Sequence, residues 1–145
     1  MKQLLLALVL VLGAGVAHAK WPWVKMLDFD DMTVYVHREE LEFYGDGIVR
    51  MTILKDLKHV KDEGEGRQAY SWVEVIDGHC GRQEIRHITS TGYDMPGGRG
   101  RPFNTIDWSE LGSAGGWTPK EKDPVEWQLI NSVCEFLKSN KKGKP

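Results

Sequence analysis

The chain is 145 residues long, 41% hydrophobic and 28% charged, with a formal net charge of −2. That length suits one domain able to bury a core. The near-neutral balance gives no global reason to expect nucleic acid as a partner.

The first predicted element is an export leader over residues 1–19. Lys2 supplies a positive start, an apolar run extends from Leu4 to Leu12, and Ala17-His18-Ala19 has the small-x-small pattern of a cleavage site. The run is too short to cross a bilayer, which takes about 20 apolar residues. Cleavage before Lys20 is expected, and loss of Lys2 moves the net charge from −2 to −3. No cysteine stands at this boundary to accept a lipid, and no later stretch is apolar enough to span a membrane. The expected destination is the periplasm or the exterior, without a lipid anchor. Residues 20–140 then read as one domain and 141–145 as a polar tail.

Residues 23–27 predict a first strand, 28–32 an acidic turn, and the β-branched and aromatic run Thr33-Val34-Tyr35-Val36 a second strand. Residues 38–41 suggest one helical turn, and Gly45-Asp46-Gly47 a tight reversal. Residues 48–57 form a long predicted strand whose Val49, Met51, Ile53 and Lys55 share the more apolar, inward face. The charged stretch 58–66 reads as a mobile hairpin loop and 68–76 as a strand, with Tyr70, Trp72, Glu74 and Ile76 on one face. Asp77-Gly78 is a predicted turn, 81–93 extended, 95–102 a Gly/Pro loop, and 104–118 short extended pieces around Trp108 and Trp117. The last element is a helix. Asp123 is placed to cap it, Pro124 fits its first position, Glu126 completes a capping box, and Val125, Leu129, Val133 and Phe136 or Leu137 recur at helical spacing. Ile130 and Cys134 lie beside that stripe, and residues 138–145 read as a frayed basic tail. The fold class is therefore α+β, predominantly antiparallel β with about five to six strands and a C-terminal helix.

The only two cysteines, Cys80 and Cys134, predict a disulfide, because an even count in an exported chain favours one. It would fasten the helix to the sheet. His79, Cys80 and His87 match no standard metal-ligand spacing, and the expectation is no metal and no cofactor. No nucleophile elbow, zinc-protease motif or phosphate-binding loop occurs. Asp30, Asp31 and His37 could meet near the first two strands, but a solvated acidic turn explains them as well. Gly97-Gly98-Arg99-Gly100-Arg101 offers open amides and two guanidinium groups, so Arg99 and Arg101 form a candidate loop for an anion or a partner. Of six tryptophans, Trp23, Trp72, Trp117 and Trp127 are expected to pack, while Trp21 and Trp108 have weaker claims to the core.

Several pieces in order resemble the surface-adhesin protein E-like domain of exported bacterial proteins. They are Trp23-Val24, the Thr33–Val36 run, Gly45-Asp46-Gly47 leading into Val49-Arg50-Met51 and Lys55-Asp56, the strand before Cys80 with Arg82 and Arg86 after it, Thr91-Gly92-Tyr93, the turn from Met95 to Gly98, Trp117, Pro119 and the Cys134 helix. The resemblance implies a small antiparallel sheet, curved like a half-barrel around a C-terminal helix, with the two cysteines bridged. It also implies a non-enzymatic module whose better-known relatives bind host matrix or serum proteins, so host matrix or envelope proteins are the expected partners. A homodimer is possible through open sheet edges. The competing reading is a small periplasmic enzyme or metal binder using His79, His87 or Asp31.

Overall fold

The computed structural model describes residues 21–142. The expected leader lies outside the described residues. Six long strands form one antiparallel sheet in sequence order: β1 (Trp23–Asp28), β2 (Met32–Tyr44), β3 (Ile48–Asp62), β4 (Gln68–His79), β5 (Glu84–Met95) and β6 (Arg99–Asp107). A two-residue strand, β7 (Thr118–Pro119), pairs with the start of β5. The sheet is open, with β1 and β6 at its edges. One helix, α1 (Pro124–Lys142), follows and packs on β3, β4 and β5.

The predicted inward face of β3 is observed. Val49, Met51 and Ile53 are buried, with Val34 of β2, Ile76 of β4 and Ile85 of β5, against Leu129, Ile130 and Cys134 of α1. The centre of the apolar stripe on α1 is thus the Ile130–Cys134 pair. Leu137 packs at its end, while Phe136 points into solvent. Leu54, on the opposite face of β3, is also buried because the turn between β5 and β6 folds over it.

Gly78 shows how strand and helix fit. It was expected in a turn with Asp77, but both lie inside β4, opposite Val49 and Arg50 of β3. The glycine is there for contact: a Cβ at this position would run into the Ile130 side chain. Gly78→Ala is therefore expected to cost about 1–3 kcal/mol by overpacking. A shifted urea midpoint would show it, and Ile130→Val should recover part of the loss. An unchanged midpoint would mean that α1 can slide away freely.

Other boundaries moved for similar reasons. The expected helical turn at 38–41 lies within β2, where residues 37–40 loop out as a bulge against β3 and the Arg38 N–H donates to Pro22 O at 2.8 Å. The flanking pairs, Val36 with Ile53 and Leu41 with Met51, hold this stretch in the strand despite its local charged pattern. The loop expected at 58–66 is mostly strand. β3 runs to Asp62, and the reversal is a short turn at Gly64, Glu65 and Gly66, all with positive φ. The 95–102 loop shrinks to a turn at Pro96, Gly97 and Gly98, with Arg99 and Arg101 inside β6. A 3-10 stretch, Trp108–Gly115, fills much of the region expected as short extended pieces. Finally, α1 continues through Lys142, beyond the expected start of a frayed tail at Lys138.

The disulfide is present between Cys80, in the turn after β4, and Cys134 of α1, with Cα atoms 5.7 Å apart. Bulges interrupt every long strand pair. Such insertions bend strands and sharpen their twist.

Candidate functional site: an aromatic sheet face beside the helix

The helix covers only part of the sheet face on which it sits. Alternation along β4 puts Gly78 and Ile76 under α1 and carries Glu74, Trp72 and Tyr70 outward on the same side. Cross-strand pairing then builds two rows beyond the helix. Glu74 is opposite Ser90 of β5, which is opposite Ile106 of β6; Trp72 is opposite Gly92, which is opposite Phe103. Gly92 leaves room for both rings: a Cβ there would lie 3.0 Å from Phe103 and 3.2 Å from Trp72, close enough that the rings would have to shift by a few tenths of an ångström. The two rings close over it edge to face, with centroids 6.2 Å apart. Trp108 extends the surface. Its indole N–H donates to Ser90 Oγ at 2.9 Å, and its ring lies 5.6 Å from that of His87.

Two clefts lie on this face. One, of about 470 Å³, is lined by Arg67, Gln68, Tyr70, Asp94, Arg101 and Phe103. The other, of about 320 Å³, is lined by Leu57, Lys61, Trp72, Ser90, Ile106 and Trp108. Aromatic rings flanked by long cations and not fully covered are the composition of contact surfaces.

An ion-pair network marks the border between helix and clefts. Lys55 Nζ lies 3.0 Å from Glu74 Oε2 and also contacts the Glu126 carboxylate of α1. Burial would pull the Lys55 amine down, but the two carboxylates outweigh it and raise its pKa above the usual lysine range. Glu126, expected in a capping box, is committed to this contact instead. Asp123, the expected cap, accepts from Thr118 Oγ1 at 2.9 Å and lies 3.5 Å from His87 Nε2.

The opposite face carries a second row, Arg50–Asp77–Arg86, across β3, β4 and β5. Asp77 is 1% exposed and accepts from Arg50 at 2.7 and 3.0 Å and from Arg86 at 2.6 Å. Arg86 and Arg82 stack on Trp117, 4.7 and 5.0 Å from its centroid. Burial pushes the Asp77 carboxyl up, but the two guanidinium groups outweigh it and hold it below the usual carboxylate range. A depressed folded value means its contribution is complete above the unfolded pKa, about 3.9, and is lost as pH falls through the folded one. Asp77→Asn is expected to be about 1–3 kcal/mol less stable at pH 7. The gap to the parent protein should shrink below about pH 4, as read from melts between neutral and acid pH. A gap independent of pH would sink this assignment.

The residues singled out in the sequence do not gather in one place. Arg101 lines the larger cleft, with its side chain 86% exposed, whereas Arg99 donates from Nε to Pro96 O at 3.2 Å at the turn. Three amides of their loop already have partners: Gly97 N–H donates to Asp56 at 2.6 Å, Gly98 N–H to Ser71 at 3.0 Å and Arg101 N–H to Asp94 at 2.7 Å. His79 faces Trp117 and accepts from the Arg82 N–H at 3.2 Å, on the opposite side of the sheet from His87. Cys80 is consumed by the disulfide. Asp31 lies in the turn before β2 and His37 six positions further along, roughly 20 Å away at strand spacing, with His37 packed on Trp23. Among the described residues no group of three His, Cys, Asp or Glu side chains is arranged to hold a metal. Sequence reading missed Phe103, Gly92 and the role of Tyr70. The alternation of Tyr70 and Trp72 is visible in the sequence, but the strand that lays Phe103 across Gly92 runs from the end of the expected 95–102 loop into the expected short extended pieces.

The profile of surface-adhesin protein E matches residues 23–135, most of the chain. The chain belongs to the surface-adhesin protein E family. A crystal form II structure of Haemophilus influenzae protein E is similar to it at 14% identity and a TM-score of 0.52, covering 79% of this chain and 90% of that one. Another structure of Haemophilus influenzae protein E is similar at 15% identity and a TM-score of 0.49, covering 77% and 85%. At such identities the first likeness speaks for the fold alone. No curated protein matches the chain by sequence. As an adhesin E-family member the protein is an exported one. No helix among the described residues is long and apolar enough to cross a membrane.

Proposed function

We propose that this adhesin E-family domain is a non-enzymatic binding module of the bacterial envelope, retained in the periplasm or released without a lipid anchor. Its partners are host matrix or envelope proteins, and they dock on the aromatic face beside α1. One observation carries this reading: Tyr70, Trp72, Phe103 and Trp108 line clefts on a sheet face that the helix leaves uncovered. Half-buried aromatic rings grouped on one face with cations at the rim suit a contact surface. Arg101, the one residue of the candidate partner loop on this face, supplies a rim charge.

The test is biolayer binding of the mature domain to a panel of purified matrix and serum glycoproteins, repeated with Trp72→Ala/Phe103→Ala. Capture weakened about tenfold or more by the pair, with the fold intact by circular dichroism, supports the reading. Undiminished capture by the variant would remove this face from the argument. Self-association is a further part of the proposal. The open edge at β1 carries Val24 and Met26, 37% and 43% exposed, and a concentration-independent monomer in sizing chromatography would contradict it.

The enzymatic alternative needs His79, His87 or Asp31 to converge on a cleft. They lie on opposite faces or at a distant turn, and none lines the two clefts.

A further inference from the structure

We propose that the larger cleft, between the β3–β4 turn and β6, is a binding site for a neutral oligosaccharide. This rests on the aromatic face being the binding face and goes further, to the chemistry of what it binds.

Three features of the cleft point the same way. The first is the pair of aromatic residues in its lining. Tyr70 and Phe103 both line the cleft, and an aromatic ring can stack on the C–H face of a pyranose, which buries apolar area without needing a hydrogen bond.

The second feature is the balance of the rim. Arg67, Gln68 and Arg101 supply donors, while Asp94 and Glu65 supply acceptors. The charges are matched within the rim: Arg67 contacts Glu65, and Arg101 Nε lies 3.7 Å from Asp94. An anion would meet a carboxylate beside each guanidinium group, and a cation a guanidinium group beside each carboxylate. A hydroxyl both donates and accepts, so it can join such pairs without breaking them. Gly100 makes the arrangement possible, because a Cβ there would occupy the space of the Asp94 carboxylate.

The third feature is pre-organisation. Arg67 bridges the two walls: it donates from one terminal nitrogen to Asn104 of β6 at 3.1 Å and from the other to Glu65 of the turn. Both partners have left-handed backbones, Asn104 with φ 49° and Glu65 with φ 52°. Non-glycine residues are uncommon there and mark conformations that the surrounding structure must hold. A site held in shape before binding loses less entropy on capture. The cleft volume, about 470 Å³, falls inside the range of about 300–1,000 Å³ usual for small-ligand sites.

The test uses the mature protein and three probes: maltotriose, triacetylchitotriose and a heparin hexasaccharide. Ligand-observed NMR and calorimetry should show at least one neutral trisaccharide binding with Kd of about 1 mM or tighter, with little dependence on salt. Phe103→Ala should weaken that binding about tenfold or more, and Phe103→Tyr should retain it. Arg101→Met, at a side chain too exposed to matter for folding, should also weaken it several-fold. Neither neutral sugar binding at about 20 mM, or binding of heparin alone with steep salt dependence, overturns the proposal. So does equal affinity in Arg101→Met.

Enzymatic deglycosylation of a captured glycoprotein separates this inference from the broader one. Capture that survives deglycosylation but still depends on Trp72 and Phe103 removes the sugar and leaves the binding face. Capture lost with the glycan, and competed by the free trisaccharide, supports both.

Discussion

Removing the disulfide by Cys80→Ala/Cys134→Ala is expected to cost about 4 kcal/mol. The bridge spans 54 residues, and in the chain-entropy account the penalty it removes from the unfolded state grows with loop length. For a domain whose net stability is about 5–15 kcal/mol, that is a large share. The melting temperature should fall on the order of 15 °C. The effect has a structural target. The Cys80 N–H donates to Gly47 O at 3.0 Å, so the bridge ties the middle of α1 to the β2–β3 turn as well as to the end of β4. Urea unfolding of the double variant, and of the parent protein under reductant, should give matching losses. An unfolding free energy within about 1 kcal/mol of the oxidised protein's would show that burial alone holds the helix.

The second large effect is expected at Lys55. Its side chain is 17% exposed, and its two carboxylate partners, Glu74 and Glu126, are 12% and 8% exposed. Lys55→Met would leave two negative groups close together, mostly out of water and without their cation. Breaking a buried pair in this way costs about 3–5 kcal/mol. The triple variant Lys55→Met/Glu74→Gln/Glu126→Gln should recover most of that loss, since no unpaired charge remains. Failure of the triple variant to recover would mean that Lys55 acts through packing and not through charge. The pH dependence has a definite sign. Lys55 has a folded pKa above its unfolded value of about 10.4, so its contribution is complete below that pH and is lost as pH rises through the folded value. The parent protein should therefore lose stability at strongly alkaline pH by more than the triple variant does.

Glu126 and Cys134 are eight positions apart on α1, about 12 Å at helical rise. The helix is thus pinned by an ion pair near its first turn and by a covalent bond near its middle. This placement also fixes how much of the sheet stays open. Outward from the Lys55–Glu74 pair the same face continues as Trp72, Gly92 and Phe103, with no helix over it.

Much of this architecture was legible in the linear chain. Period-two alternation in residues 48–57 identified Val49, Met51 and Ile53 as core, because side chains on a strand must take opposite faces. Asp123-Pro124 announced the start of α1, because proline suits a first helical position. Export and an even cysteine count announced the Cys80–Cys134 bond. These signals are local or arithmetic, and each has a physical rule acting over a few residues.

The proposed binding face carries no such local mark beyond the alternation of Tyr70 and Trp72. Arg38-Glu39-Glu40 lie in a bulge of β2 and not in a helical turn, and the charged stretch after Leu57 is drawn into β3 by the pairs Lys61–Ala69 and Asp62–Gln68. Gly78 and Gly92 looked like interruptions but are the points where Ile130 and the Trp72–Phe103 pair approach the backbone. A glycine's role depends on what stands over it, and that is set by residues 11 to 52 positions away in the chain. Local alternation and composition are properties of neighbours in sequence. The coverage of a sheet by one helix, and hence which aromatic rings remain open to a ligand, is a property of long-range pairing that appears only when the strands are laid in register.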